Sequence, residues 1–268
     1  MDLGISDATA VVVGGSKGMG RAVADILATD GARVAVMARG REALDSTVAA
    51  LRAAGSPDAV GLSVDVTDPA SIDAAFGEVG ERWGGGLNIL VHTVGPGAAR
   101  FEDLDDSGWD AAFALGMMSA VRSVRSALPL LRVAEWGRVV IFSAHSIQRQ
   151  SPNLVAYTAS KAAVTSLAKN LAKSLAPDGI LVNTVCPGSI VTASFTEGLR
   201  DVFAAENLDP SDPYDVMKWI DEHFHHPADL GRAGLPDEVA SVTAYLASRR
   251  NGYVTGACVN ADGGSDFV

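Results

Sequence analysis

The stretch Ala10–Gly20, reading A-V-V-V-G-G-S-K-G-M-G, constrains this chain more than any other. Ala10–Val13 is short, apolar and β-branched, the composition of a fully buried strand. Glycines at 14, 15, 18 and 20 follow at once, and Val23, Ile26 and Leu27 then recur at helical spacing. The order is strand, glycine turn, helix. Glycine lets a backbone come close to a pyrophosphate, and the N–H groups of a helix N-terminus face negative charge. From Gly14 the spacing is G-x-x-x-G-x-G, not the commoner G-x-G-x-x-G. A turn that merely joins a strand to a helix has the same composition, so support must come from the rest of the chain.

Apolar runs at Arg33–Ala38, Val60–Val66, Leu87–Val91, Arg138–Phe142, Leu181–Val185 and Ala257–Asn260 read as further strands. Helical patterns alternate with them, at Glu42–Ala54, after Thr67-Asp68-Pro69, at Trp109–Leu131, at Ala156–Leu175 and over 236–248. Thr67 or Asp68 can cap the second of these helices, and proline suits its first turn. Strands that are apolar throughout and alternate with helices predict an α/β fold. Its form is a single Rossmann-type, doubly wound parallel sheet with helices on both faces, spanning 1–268. Ligands in such sheets sit beyond the carboxyl ends of the strands. Gly14–Gly20, Arg39, Asp65, Thr93–Gly95, Ser143–Ser146 and Pro187-Gly188 all fall at those ends.

The net charge of −11 argues against a nucleic-acid or anionic-membrane surface. No apolar run approaches the roughly 20 residues of a membrane span, and no signal-peptide pattern opens the chain. The two cysteines, Cys186 and Cys258, lie in apolar surroundings and read as inert buried thiols of a cytoplasmic protein. Residues 193–232 break the rhythm with acids and with Phe195, Phe203, Met217, Trp219 and Phe224. We expect them to fold over the strand ends as a substrate lid; a surface insertion is the alternative. His223, His225 and His226 lie there without cysteine or a placed carboxylate, and no metal is expected.

Tyr157 and Lys161 stand at i and i+4, on one helix face. A nearby cation favours a phenolate, so this pair can exchange a proton near neutral pH. Here the chain resembles a short-chain dehydrogenase/reductase, over roughly residues 5–264. The resemblance rests on G-G-S-K-G-M-G, V-D-V-T-D around Asp65, Y-T-A-S-K at 157–161, P-G-S-I-V-T at 187–192, and N-A-D-G-G at 260–264. It implies a nicotinamide dinucleotide, with its diphosphate on Gly14, Ser16, Lys17, Gly18 and Met19. Asp65 and Val66 would contact the adenine, and Thr93 and Gly95 would line the site. Pro187, Gly188, Ile190 and Thr192 would hold the carboxamide and phosphate side of the nicotinamide. Tyr157 becomes the acid/base, with Lys161 lowering its pKa and holding the ribose. The two long helices imply a homotetramer, or at least a dimer.

Cofactor choice follows from charge. A carboxylate about 20 residues past the glycines would hold the ribose hydroxyls of NAD. That strand end carries Arg39 and no acid, and Lys17 lies in the loop. Two cations suit a 2′-phosphate, so we expect NADP(H). Three departures from the family stand out. Its N-N-A-G is His92-Thr93-Val94-Gly95 here, its catalytic asparagine falls on Gly116, and its catalytic serine falls on Ala144. If strand geometry persists, Ser146 points the way Ala144 does, making it the first replacement and His145 the second; local backbone bonding is the other role for these serines. Two functions are open. One is an oxidoreductase acting on a small-molecule carbonyl or secondary alcohol, with a hydrophobic body favoured by the lid aromatics. The other is a cofactor-binding regulatory or partner-binding protein with little catalysis.

Overall fold

The computed structural model describes residues 2–225 and 227–265. Seven strands form one parallel sheet in the order β3-β2-β1-β4-β5-β6-β7. They are β1 (Thr9–Val13), β2 (Arg33–Ala38), β3 (Ala59–Ser63), β4 (Ile89–His92), β5 (Gly137–Phe142), β6 (Ile180–Pro187) and β7 (Cys258–Ala261). The order reverses beside β1, so the crevice between the ends of β1 and β4 is where a ligand enters such a sheet. β1, β4 and β5 are buried along their whole length, which is why their sequences show no alternation.

Alternate strand residues feed two cores. On one face Val12, Val34, Val36 and Val91 pack with α1 (Gly18–Thr29), α2 (Arg41–Ala54) and α9 (Pro236–Ala247). On the other, Val11, Val13, Leu90 and Val139 pack with α3 (Pro69–Arg82), α5 (Ser119–Val133) and α6 (Val155–Leu175). Asp68 caps α3 by accepting from Ala70 N–H, with Pro69 at its first position, as the sequence indicated.

Two elements differ from the sequence reading. The long helix expected at Trp109–Leu131 is α4 (Asp106–Phe113) joined to α5 through one π-helical turn, Ala114–Met118. Residues 193–232 hold two helices, α7 (Ala193–Ala205) and α8 (Pro213–Phe224). Their apolar side chains pack on one another: Phe203 and Trp219 lie 5.3 Å apart, within a cluster that includes Val216, Met217 and Ile220. The aromatics of this segment therefore fill a small core of their own, which removes the argument from them to a hydrophobic substrate.

Candidate active site

The glycine turn closes through backbone contact that leaves no room for side chains. Gly14 has φ +84°, and a Cβ there would overlap the Thr93 hydroxyl. A Cβ on Gly20 would overlap the Gly14 carbonyl and lie 2.7 Å from that hydroxyl. Thr93 in turn donates to Val13 O at 2.9 Å. The start of α1 is thus pressed against the ends of β1 and β4, with its first N–H groups at the crevice. From the other side, the Thr192 side chain comes within 3.6 Å of where a Gly18 Cβ would stand. Thr192 caps α7, so the opening loop and the 187–192 segment face each other.

The loop after β4 connects this cradle to α6. A Cβ on Gly95 would meet Lys161 Cε at 2.8 Å and Tyr157 Cε2 at 3.6 Å, so the bare backbone there seats both side chains. Lys161 is buried, and its ammonium donates to Val94 O at 2.9 Å and Phe142 O at 2.7 Å. Those two bonds spend two of its three donors and hold the amine between the ends of β4 and β5. Burial lowers Lys161 to about 8. Tyr157 departs from expectation: burial pushes it up to about 12. The amine lies 5.9 Å from the centre of the phenol ring and is not bonded to its hydroxyl, so desolvation outweighs attraction.

Strand geometry does not persist past β5. Ala144 leads into a 3₁₀ turn, His145–Ile147, and side-chain alternation stops there. Ser146 is buried and its hydroxyl accepts from Thr158 at 3.0 Å, one residue past Tyr157. That bond ties the turn to α6 and leaves the Ser146 hydroxyl its own proton to donate. Ser143 bonds Lys161 O and the Thr165 hydroxyl, which is a local role. His145 Nδ1 lies 3.1 Å from Pro187 O and bridges the ends of β5 and β6.

At Gly116, in the π turn, a Cβ would overlap the Ser160 hydroxyl, with Ser160 Cβ at 2.7 Å. A larger residue cannot sit there while α6 stays this close. His92 lies beneath, fully buried. Ser119 donates to Leu115 O, so His92 Nε2 donates to Ser119 Oγ at 3.1 Å. That fixes the tautomer and leaves Nδ1 as a buried acceptor with no partner among the described residues. Burial, reinforced by the charge of Lys161, lowers His92 to about 3.

At the ends of β1 and β2, Lys17 and Arg39 are exposed, and β2 ends without a carboxylate. Asp65 is exposed and accepts from Thr67 N and Oγ1, while Val66 is buried. The backbone of Gly188 packs against Asp262, and Ile190 against Gly234.

Residues 13–266 match a family model described as enoyl-(acyl carrier protein) reductase. The chain belongs to the short-chain dehydrogenase/reductase family. It is 34% identical over 259 residues to a putative ketoacyl reductase of the monensin polyketide synthase from Streptomyces virginiae, covering 95% of each chain. It is 29% identical to D-beta-hydroxybutyrate dehydrogenase of Rhizobium meliloti, covering 96% of this chain and 97% of that one. The structure of L-sorbose reductase from Gluconobacter frateurii, solved with NADPH and L-sorbose, superposes with a TM-score of 0.92 at 28% identity, covering 100% of both chains.

In this short-chain dehydrogenase/reductase, sequence reasoning missed the carbonyls of Val94 and Phe142 that hold the lysine, because backbone acceptors carry no residue signature. It also missed His92, although a histidine ending an apolar strand signals a buried polar group. Within residues 193–232, His223 stacks on Trp219, 4.7 Å between ring centres, and its Nε2 lies 3.3 Å from Glu206. With Glu222 these groups are close enough to hold a metal ion, but all are exposed and no buried donor points among them. His225 caps α8 with φ +55°, and His226 lies outside the described residues. Among the described residues no helix is long and apolar enough to cross a membrane.

Proposed function

We propose that this chain is an NADP(H)-dependent reductase of a ketone or a similar carbonyl, with Tyr157 as the proton donor. The observation that carries the reading is the seating of Tyr157 and Lys161 on Gly95, one loop away from the glycine cradle. The cradle fits a dinucleotide: Gly14 and Gly20 sit where any side chain would close it, and the N-terminus of α1 faces the crevice. Bound there, the dinucleotide supplies or accepts a hydride at the nicotinamide ring. Gly14, Ser16, Lys17, Gly18 and Met19 would hold its diphosphate by backbone N–H groups. Lys17 and Arg39 would take a 2′-phosphate, with Asp65 and Val66 at the adenine. Thr93, Gly95, Pro187, Gly188, Ile190 and Thr192 would flank the nicotinamide, and the third donor of Lys161 would reach its ribose.

The phenol's raised pKa gives a direction. At neutral pH Tyr157 carries its proton, so it is ready to protonate the oxygen of a carbonyl being reduced. Running the other way requires a phenolate that burial disfavours. Lys161, near 8, can re-protonate the phenol. Ala144 provides no hydroxyl to the substrate oxygen, and losing one such donor can cost about 3 kcal/mol of barrier, so turnover should be slow. The relatives frame the substrate trial: a β-ketoacyl thioester and a ketose. We also propose a homotetramer built through the long helices and a cytoplasmic location.

The test is titration of the chain with NADPH and with NADH, followed by NADPH consumption against a panel of ketones. Tighter NADPH binding and measurable consumption are expected. Tighter NADH overturns the cofactor choice. NADPH binding with no turnover on any ketone favours a second reading, a cofactor-binding regulator, which the absent side chains at Ala144 and Gly116 support.

A further inference from the structure

The two cysteines, far apart in sequence, meet beside the site. Cys258 pairs in register with Thr184, and Cys186 with Asn260, so the thiols lie diagonally across neighbouring strands. Their sulfurs are 2.9 Å apart. Cys186 is buried, at the end of β6. Cys258 is half-exposed.

We infer that Cys186 and Cys258 form a redox-modifiable pair that a hydroperoxide closes to a cystine, and that closure displaces the Pro187–Thr192 wall of the site. Cys258 is the entry point, because it is the accessible sulfur. Hydrogen bonds from Cys186 and Thr184 lower its pKa, and the thiolate is the nucleophile. Its sulfur attacks the peroxide, the O–O bond breaks, and a sulfenic acid and water result. Cys186 sulfur then attacks the sulfenic sulfur; the S–S bond forms, the S–O bond breaks and a second water leaves. Two thiols lose two electrons in total and the peroxide gains them.

Geometry supplies the coupling. Sulfurs must close from 2.9 Å to about 2.05 Å. The register puts the Cα atoms about 8 Å apart, beyond the usual disulfide span of up to about 6.8 Å. One strand must therefore slide. Among the described residues β7 is an edge strand bonded only to β6, so it moves more easily. A Cβ on Gly188 would stand 2.7 Å from Asp262 Cα, so movement of the β7 end presses directly on Gly188. A bond closed against such strain is readily reduced, as regulatory disulfides are.

The chemistry stands alone; its bearing on activity rests on the function proposed above. The full reduced chain is treated with hydrogen peroxide, then examined by thiol titration, intact mass and amide hydrogen exchange. We expect loss of both thiols, a mass lower by about 2 Da, reversal by dithiothreitol, and at least about fivefold faster exchange in 187–192. Cys258→Ala should keep the slow exchange under peroxide. Retention of both thiols, or sulfinic acid without the cystine, overturns the pairing. Cystine with unchanged exchange at 187–192 overturns the coupling. NADPH binding to the untreated chain is measured separately: its absence defeats the proposed function and leaves both thiol results readable.

Discussion

The glycine cradle and the edge that seats Lys161 both lie at the ends of strands in one sheet, yet they are built in opposite ways. The cradle is made by removing side chains until backbone meets backbone: Gly14, Gly20 and the Thr93 hydroxyl are in contact. The edge is made by burying a charged side chain and spending its donors on the carbonyls of Val94 and Phe142. Sterics tolerate no variation, so the cradle marks the sequence with glycines. Side-chain bonds to backbone leave residue types free, and there the chain carries Ala144.

The largest effect should fall on the cradle. Gly20→Ala places a methyl group on the Gly14 carbonyl, and we expect a loss of about 3 kcal/mol in urea unfolding. A loss below about 1 kcal/mol would break the contrast. Next, Lys161→Met leaves two buried carbonyls short of a donor. It should cost roughly 2 kcal/mol of stability as well as turnover, showing that the lysine builds the edge before it serves chemistry. A catalytic loss with unchanged stability would count against that.

His92 sharpens the comparison through pH. Its folded pKa, about 3, lies below the ordinary value of 6.5, so the native state refuses a proton that the unfolded chain accepts. The stability this neutral histidine contributes is complete above 6.5 and is lost as pH falls toward 3. His92→Asn should flatten the stability profile in that window, measured by denaturation at successive pH values. The smallest effect is expected at Ser146→Ala. Only the bond from Thr158 is lost, about 1 kcal/mol, and kcat/KM should stay within about threefold. A hundredfold drop would make Ser146 a substrate contact.

What was legible follows the same division. All seven strands and the anion turn could be found from burial pattern and glycine, because two-sided burial and backbone approach dictate residue type. The π turn at Ala114–Met118 could not, since one inserted residue leaves the helical pattern on either side intact. The direction of Ser146 could not be read from alternation, because the chain leaves strand geometry after Ala144, at His145. The phenol's pKa was misjudged because i, i+4 spacing fixes a shared helix face and not the depth of burial. Cys186 and Cys258 looked inert because the β6–β7 register is a tertiary fact. The lid's aromatics were seen, but their spacing alone does not say whether they face a substrate or one another.

The central claim is that Tyr157 gives up a proton while seated on Gly95 beside the cradle. Its direct test is Tyr157→Phe, assayed for NADPH binding and for NADPH consumption with whichever ketone the parent chain reduces. The account predicts binding within about twofold of the parent and turnover lower by at least about 100-fold. Turnover equal to the parent's would contradict it.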